Sequence, residues 1–191
     1  MANVPASIVS RYWNSPHWAQ LGIGKKYYPP QGDGSKPFYW YTIVDLTDLS
    51  VPDVAVSTSN DTVPANIARY LGNTQFFLFF ASNAQMSSNI PHGQLWDFLK
   101  QVGSGPALKR GEQMIDQLGT GNIAHFSYVL AATMNVADLP GFEAFSPDVS
   151  CILTMEFMPI TVNGKTYYAP IQVGNQSTSA HDHHSITLSE P

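Results

Sequence analysis

The stretch CILTMEFMPITVNGKTYYAPIQV, residues 151–173, decides the fold. Two runs rich in β-branched and aromatic residues flank the pair Asn163 and Gly164. Both central residues of a tight two-residue hairpin turn need a positive φ, which Asn-Gly adopts readily, so the stretch predicts a long antiparallel hairpin. Pro159 and Pro170 cannot donate ladder hydrogen bonds, so we expect the hairpin at a sheet edge or projecting from the body of the domain.

Four shorter segments upstream of the hairpin indicate further strands. FYWYTIVDL (residues 38–46) and HFSYVLAATM (125–134) are rich in β-branched and aromatic residues. Residues 53–57 predict a strand antiparallel to the first. QFFLFFA (75–81) is short and apolar on both faces, which is typical of a central strand that is covered on both sides. Residues 135–150 contain two prolines and are expected to form a loop.

Three segments carry helical signals. Pro64 stands near the first position of a short helix. Residues 93–102 and 106–118 each place apolar side chains on one stripe, and we expect Ser104 to cap the second of these helices and Gly119 to stop it. The order strand, strand, helix, strand, helix, helix, strand and hairpin predicts an α/β (α+β) sandwich, with three short helices packed on a mixed central sheet.

Composition divides the chain into three parts. Residues 1–37 are rich in aromatic residues, Pro and Gly, and predict an extended N-terminal arm. Residues 38–173 predict a single globular domain that includes the hairpin, and residues 174–191 predict a polar C-terminal tail. An aromatic arm can bury its rings either against a neighbouring molecule or against its own domain, and composition does not choose between the two.

Charge is scarce in this chain. Lys and Arg number 9 and Asp and Glu 14 among 191 residues, which is 12%, about half of the roughly 25% in ordinary soluble domains. Such a surface has little to keep neighbouring copies apart, so the composition favours a protein whose partners are copies of itself. The net charge of -5, without any long Lys/Arg cluster, excludes a nucleic-acid partner, which requires a basic face.

Cys151 is the single cysteine, so no disulfide can form within the chain, and its apolar neighbours favour a buried side chain over a reactive thiol. The longest apolar run is far shorter than the roughly 20 residues that cross a bilayer, so no membrane span is predicted. The N-terminus lacks a basic segment followed by an apolar core, so no secretory signal is predicted. Localisation stays open between the cytoplasm and an extracellular or virion assembly.

Motifs for catalysis are missing from the sequence. The chain contains no G-x-S-x-G elbow, no G-x-G-x-x-G loop and no Walker pattern. We therefore expect no enzyme activity and no cofactor. His181 and His183 are the candidate metal ligands, because alternate residues of an extended strand point to the same side. The alternatives for these histidines are a solvated tail and hydrogen bonds at a subunit contact.

Four strings between Tyr41 and Met134 follow a recognisable order: TIVDLTDLSV (42–51), PANIARYLGNTQFFLFFAS (64–82), EQMIDQLGTG (112–121) and FSYVLAA (126–132). In this order and in these strings, residues 41–134 resemble the interleukin-like GG-domain family. The resemblance implies a compact β-sandwich-like domain with helices, no enzyme activity, and a role in binding proteins or carbohydrates. It implies no particular site residue.

Two functions of different classes fit these observations. The first is a non-enzymatic structural subunit that self-assembles into a homopolymer (filament, tube, virion component or inclusion) through terminal arms and the edge hairpin. The second is a carbohydrate-binding, lectin-like module, because rings with a polar tip suit both interfaces and sugar stacking. The candidate interface or ligand residues are Tyr12, Trp13, Trp18, Tyr27, Tyr28, Asn163, Gly164, Tyr167 and Tyr168.

Overall fold

Three layers stack in this protein: a first β-sheet, a second β-sheet and a layer of helices. The computed structural model describes residues 2–12, 19–30, 36–119, 121–134 and 139–178, with side chains described as far as residue 174. Sheet I contains β1 (Val4–Ser10), β2 (Gln20–Ile23), β3 (Lys26–Tyr28), β10 (Ser150–Val162) and β11 (Lys165–Thr178), in the spatial order β11-β10-β1-β2-β3.

Sheet II lies between sheet I and the helices. Its strands are β4 (Phe38–Asp45), β5 (Asp53–Ser57), β6 (Phe76–Asn83), β7 (Gln85–Met86), β8 (His125–Thr133) and β9 (Phe142–Pro147). The order is β5-β4-β6-β8, and both β7 and β9 also pair with β8. The helices are α1 (Ala65–Ala68), α2 (Gly93–Gln101) and α3 (Pro106–Leu118), so the three predicted helices are confirmed.

Both sheets are antiparallel, so the predicted mixed sheet is wrong. Within the described residues the one parallel contact is the isolated bridge between Arg11 and Asn83. The reason lies in the helical connection between β7 and β8. It leaves sheet II at Met86 and returns at His125, which pair with each other. A connection that returns to the end it left produces antiparallel neighbours, whereas a parallel pair needs a crossover to the opposite end.

Strand β6 separates two hydrophobic cores, as expected for a strand covered on both sides. Phe77 and Phe79 point into the core between the two sheets, where both rings contact Phe157 edge to face. Leu78 and Phe80 point into the core between sheet II and the helices. This alternation explains why the strand is apolar at every position from Phe76 to Ala81.

The expectation of an extended arm over residues 1–37 is wrong for the parts that the structure describes. Strands β1, β2 and β3 belong to sheet I, and Ala6, Ile8 and Leu21 are buried in the core between the sheets. β1 pairs along its whole length with β10. These strands are short, so their composition resembles that of a loop, although β1 and β2 alternate between buried and accessible positions.

Residues 135–150 also differ from the expected loop, because residues 142–147 form β9. Pro147 stands at the very end of that strand, where a missing N–H is tolerated. Cys151 is fully buried in the core between the sheets, as predicted, and burial raises the pKa of its thiol. None of the helices in the described part of the chain has the length and apolar character needed to traverse a bilayer.

Candidate interaction surface

The predicted hairpin is confirmed and extends beyond the body of sheet I. Asn163 and Gly164 form its turn with φ of 51° and 75°, the left-handed values that a tight hairpin turn requires. The last residue of β10 that pairs with β1 is Phe157. From Met158 to Ala169 the two strands pair only with each other in sheet I. We call this segment, residues 158–169, the ribbon.

One face of the ribbon is apolar and accessible to solvent. Met158, Ile160 and Val162 are 39%, 38% and 48% exposed. They are alternate residues of one strand, so they lie on one face. Their partners across the hairpin are Ala169, Tyr167 and Lys165. Of the nine exposed large hydrophobic side chains among the described residues, five lie on β10 and β11.

The exposed apolar residues have no role in the core. Inside the body of sheet I the residues that point inward are Cys151, Leu153, Met155 and Phe157, each at most 1% exposed. Met158, Ile160 and Val162 follow in the opposite phase, beyond the point where β1 ends. None of the three belongs to either hydrophobic core, and contiguous exposed apolar residues are typical of interaction sites.

The outer edge of β11 is closed at its middle, and towards its C-terminal end no other strand among the described residues pairs with it. Pro159 faces Tyr168 and Pro170 faces Phe157, so both prolines occupy pairs that exchange no ladder hydrogen bonds. The N–H of Tyr168 accordingly points outward and donates to the carbonyl oxygen of Leu46 at 2.8 Å. Pro170 has no N–H to offer. The open part of this edge therefore begins at Gln172.

A cavity of about 380 Å³ lies between the ribbon, Leu46 and the loop before β6. Tyr167 and Tyr168 line it from the ribbon, and the amide side chains of Asn73 and Gln75 line it from the loop. No charged residue belongs to its lining. The Nε2 of Gln75 donates to Asp45 Oδ2 at 2.8 Å, which orients the amide.

The predicted interface residues separate into groups. The structure brings Asn163, Gly164, Tyr167 and Tyr168 together in the ribbon. Three others lie elsewhere: Tyr27 is 57% exposed on β3 at the opposite edge of sheet I, Tyr28 packs against the core between the sheets, and the ring of Tyr12 lies 6.3 Å from that of His125.

Four of the predicted site residues lie outside the described part of the chain: Trp13, Trp18, His181 and His183. The metal-ligand prediction for the two histidines therefore stays a prediction. Within the residues that the structure does describe, no group of three or more His, Cys, Asp or Glu side chains is arranged to hold a metal ion.

The three apolar residues of the ribbon were not singled out from the sequence. The available signal was a change of phase: the alternate apolar positions that end at Phe157 are followed by Met158, Ile160 and Val162 in the other phase. In a strand with one covered face, apolar residues in both phases indicate that the second face is covered by something else.

A buried polar cluster holds the first turn of α3. Glu143 on β9 accepts hydrogen bonds through Oε1 from the backbone N–H groups of Gly105 and Ala107, at 3.1 and 2.7 Å. Its Oε2 accepts from the hydroxyl of Tyr128 at 2.7 Å, and burial raises the pKa of that phenol. Ser104 is not the cap, which corrects the expectation. A carboxylate from another strand performs the capping.

Comparison of the chain with models of known protein families finds no match, and comparison with curated proteins finds none either. The resemblance of residues 41–134 to the interleukin-like GG-domain family stays a prediction.

Proposed function

We propose that this protein is a non-enzymatic structural subunit that self-assembles into a homopolymer (filament, tube, virion component or inclusion), and that the ribbon is its principal contact. The observation that carries the proposal is the apolar face formed by Met158, Ile160 and Val162 on a two-stranded segment with which no third described strand pairs. The described strands of the N-terminal segment, β1, β2 and β3, belong to sheet I, so the proposal does not require them to form an arm.

The energy of the ribbon contact is moderate. Fully burying a Val, Ile or Met side chain contributes roughly 1.5–3 kcal/mol, so each of these half-exposed residues contributes about 1 kcal/mol on becoming buried. Two copies in a symmetric contact together gain about 6 kcal/mol, which is near the lower end of the roughly 4–15 kcal/mol cost of association. A stable polymer therefore needs backbone hydrogen bonds or further area in addition to this face.

The charge distribution suits a contact between copies. Each chain carries a net charge of -5, yet Lys165 is the only charged residue between Phe157 and Thr178. Copies therefore repel one another at long range, and at the ribbon itself the only like charges they bring together are the single ammonium groups of Lys165. Salt screens the long-range term, since the Debye length falls from about 30 Å at 0.01 M salt to about 8 Å at 0.15 M.

Static light scattering over this salt range tests the proposal. We expect the mean particle mass to exceed that of one chain at micromolar concentration and to rise several-fold with salt, because repulsion between chains is screened while the apolar contact is not weakened. A monomer at every concentration and salt would refute self-assembly. A mass that falls with salt would show that ion pairs hold the particle together, which two ribbons without an acidic residue cannot supply.

We propose carbohydrate binding as a second candidate function, and the cavity beside the ribbon is the observation that favours it. Neutral sugars are bound by aromatic rings that stack on them and by amide groups that exchange hydrogen bonds with their hydroxyls. Tyr167, Tyr168, Asn73 and Gln75 supply both chemistries without a charge, and the volume is in the range of roughly 300–1,000 Å³ typical of ligand sites.

Titration with neutral oligosaccharides, followed by tyrosine fluorescence and calorimetry, tests this second candidate. Binding is expected in the unmodified protein and is expected to weaken at least tenfold in Tyr167→Ala. Tyr27→Ala is the matched control, because Tyr27 is exposed at the other edge of sheet I and does not line the cavity. An array of neutral glycans without a single ligand would rule the candidate out.

A further inference from the structure

We propose that a second copy of the chain pairs with the outer edge of β11, strand against identical strand and antiparallel, over residues 172–178. Two copies of sheet I would then form one continuous ten-stranded sheet. The inference rests on the proposed self-assembly and adds the place, the partner strand and the symmetry of the first contact.

The free edges of the two sheets are not equivalent. β3 has 3 residues and is flanked by Lys25 and by Pro29, and charge, Pro and short length all protect an edge against pairing. β5 has 5 residues and begins at Asp53, which is ion-paired with Arg69. β11 has 14 residues and a single charge. Of these three edges it is the one best suited to accept another strand.

The hydrogen-bonding pattern of β11 locates the contact within this edge. Residues 168, 170 and 172 all occupy pairs that exchange no hydrogen bonds with β10. The N–H of Tyr168 points outward to Leu46. The N–H of Gln172 therefore also points outward. The register shifts at the bulge opposite Thr154 and Met155. Beyond this bulge, the backbone N–H and C=O groups of residues 175 and 177 point outward. The backbone groups of residues 172, 175 and 177 therefore form a row of donors and acceptors with which a new strand can pair.

A second copy suits this row better than another partner does. An antiparallel pair of identical strands lies across a twofold axis, which brings each segment against itself. Any charge within the segment would then meet its own copy at close range. Residues 171–178 contain no charged residue, and Lys165 lies near the far end of the strand.

This edge contact joins only two copies, because the β11 edge of each copy is occupied by the other copy. The two ribbons then point away from each other at opposite ends of the pair. Their apolar faces are left free to join one pair to the next, so the pair becomes the repeating unit of the polymer.

Three variants separate the two contacts. In Ile160→Lys/Val162→Lys the ribbon face carries two added charges, so the polymer is expected to dissociate into pairs. Adding Gln172→Pro is expected to convert these pairs into monomers, because proline removes the outward N–H without breaking a bond to β10. Gln172→Ala is the matched control and is expected to change the dissociation constant of the pair less than threefold. Sedimentation equilibrium gives the masses, and circular dichroism verifies the fold.

A distance measurement on the variant Ile160→Lys/Val162→Lys, which we call the ribbon-charged variant, tests the edge contact without the proline substitution. Cys151 is buried, so a spin label attaches selectively at Lys165→Cys. In the antiparallel pair the two labels lie about 60 Å apart, at roughly 3.3 Å per residue along the strands. Addition of β11 to the neighbour's β3 would place successive labels one sheet width apart, about 24 Å for five strands.

Each outcome decides between the two proposals. The inference is supported if the ribbon-charged variant forms pairs with a label distance of about 60 Å and if Gln172→Pro dissociates these pairs. Three results for the variant Ile160→Lys/Val162→Lys would refute the edge contact while the unmodified chain still assembles: a monomer, a label distance of about 24 Å, or pairs that persist after Gln172→Pro. In each of these cases the proposed function stands. If the unmodified chain is monomeric throughout, the proposed function itself fails.

Discussion

The variant Ile160→Lys/Val162→Lys is expected to keep its fold and to lose the polymer. Both side chains are more than a third exposed and belong to neither core, so their replacement removes little packing. In the contact, however, the variant places two like-charged ammonium groups from each copy in an apolar surface, where desolvation and repulsion both oppose association. We expect the association constant of the contact between ribbons to fall at least 100-fold.

A control with the same charge change isolates the ribbon from general electrostatics. Met86→Lys/Leu118→Lys also replaces two exposed apolar side chains, 51% and 52% accessible, at sites away from the ribbon. Both double variants lower the net negative charge equally. Light scattering should therefore show a polymer for the control and no polymer for the ribbon variant. Equal loss in both would contradict a specific role of the ribbon.

The second large effect is expected in the stability of the monomer. Glu143→Ala removes the acceptor for two N–H groups at the start of α3 and for the buried hydroxyl of Tyr128. An unpaired buried polar group costs roughly 1–3 kcal/mol, and loss of a helix cap costs about 1 kcal/mol more. We expect a free energy of unfolding about 3 kcal/mol lower, which corresponds to a fall in Tm of roughly 10 °C.

Two further variants test this explanation by chemical denaturation. Asp116→Ala removes an exposed carboxylate from the same helix and is expected to change stability by less than about 0.5 kcal/mol. Tyr128→Phe in the Glu143→Ala background removes the buried hydroxyl and should restore part of the loss. A double variant that loses the sum of the two single effects would contradict the proposed coupling between Glu143 and Tyr128.

Local sequence patterns predicted the elements whose character is fixed by their own residues. The apolar run at residues 75–81 identified the central strand, and the Asn163–Gly164 pair identified the hairpin turn. The pairing of β1 with β10 was not predictable in the same way, because it joins Val4 to Phe157 across most of the chain. Its residues form a strand only because a partner strand and a core are already present.

The phase of the residues in β10 also explains which part of the contact surface was missed. Met158, Ile160 and Val162 resemble core residues in sequence, but they lie on the face of β10 that points away from the core between the sheets. The prolines correctly indicated that the hairpin lies at an edge. They gave no information on which of its two faces is free, since that depends on the layer packed behind it.

Amide hydrogen exchange on assembled and diluted protein, followed by mass spectrometry, tests the central claim most directly. On assembly we expect slower exchange in peptides that cover residues 158–169 and 172–178, and unchanged exchange in α2 and α3, which lie on the far side of sheet II. Assembled particles in which the ribbon exchanges as fast as in the diluted chain, while another surface becomes protected, would contradict the claim.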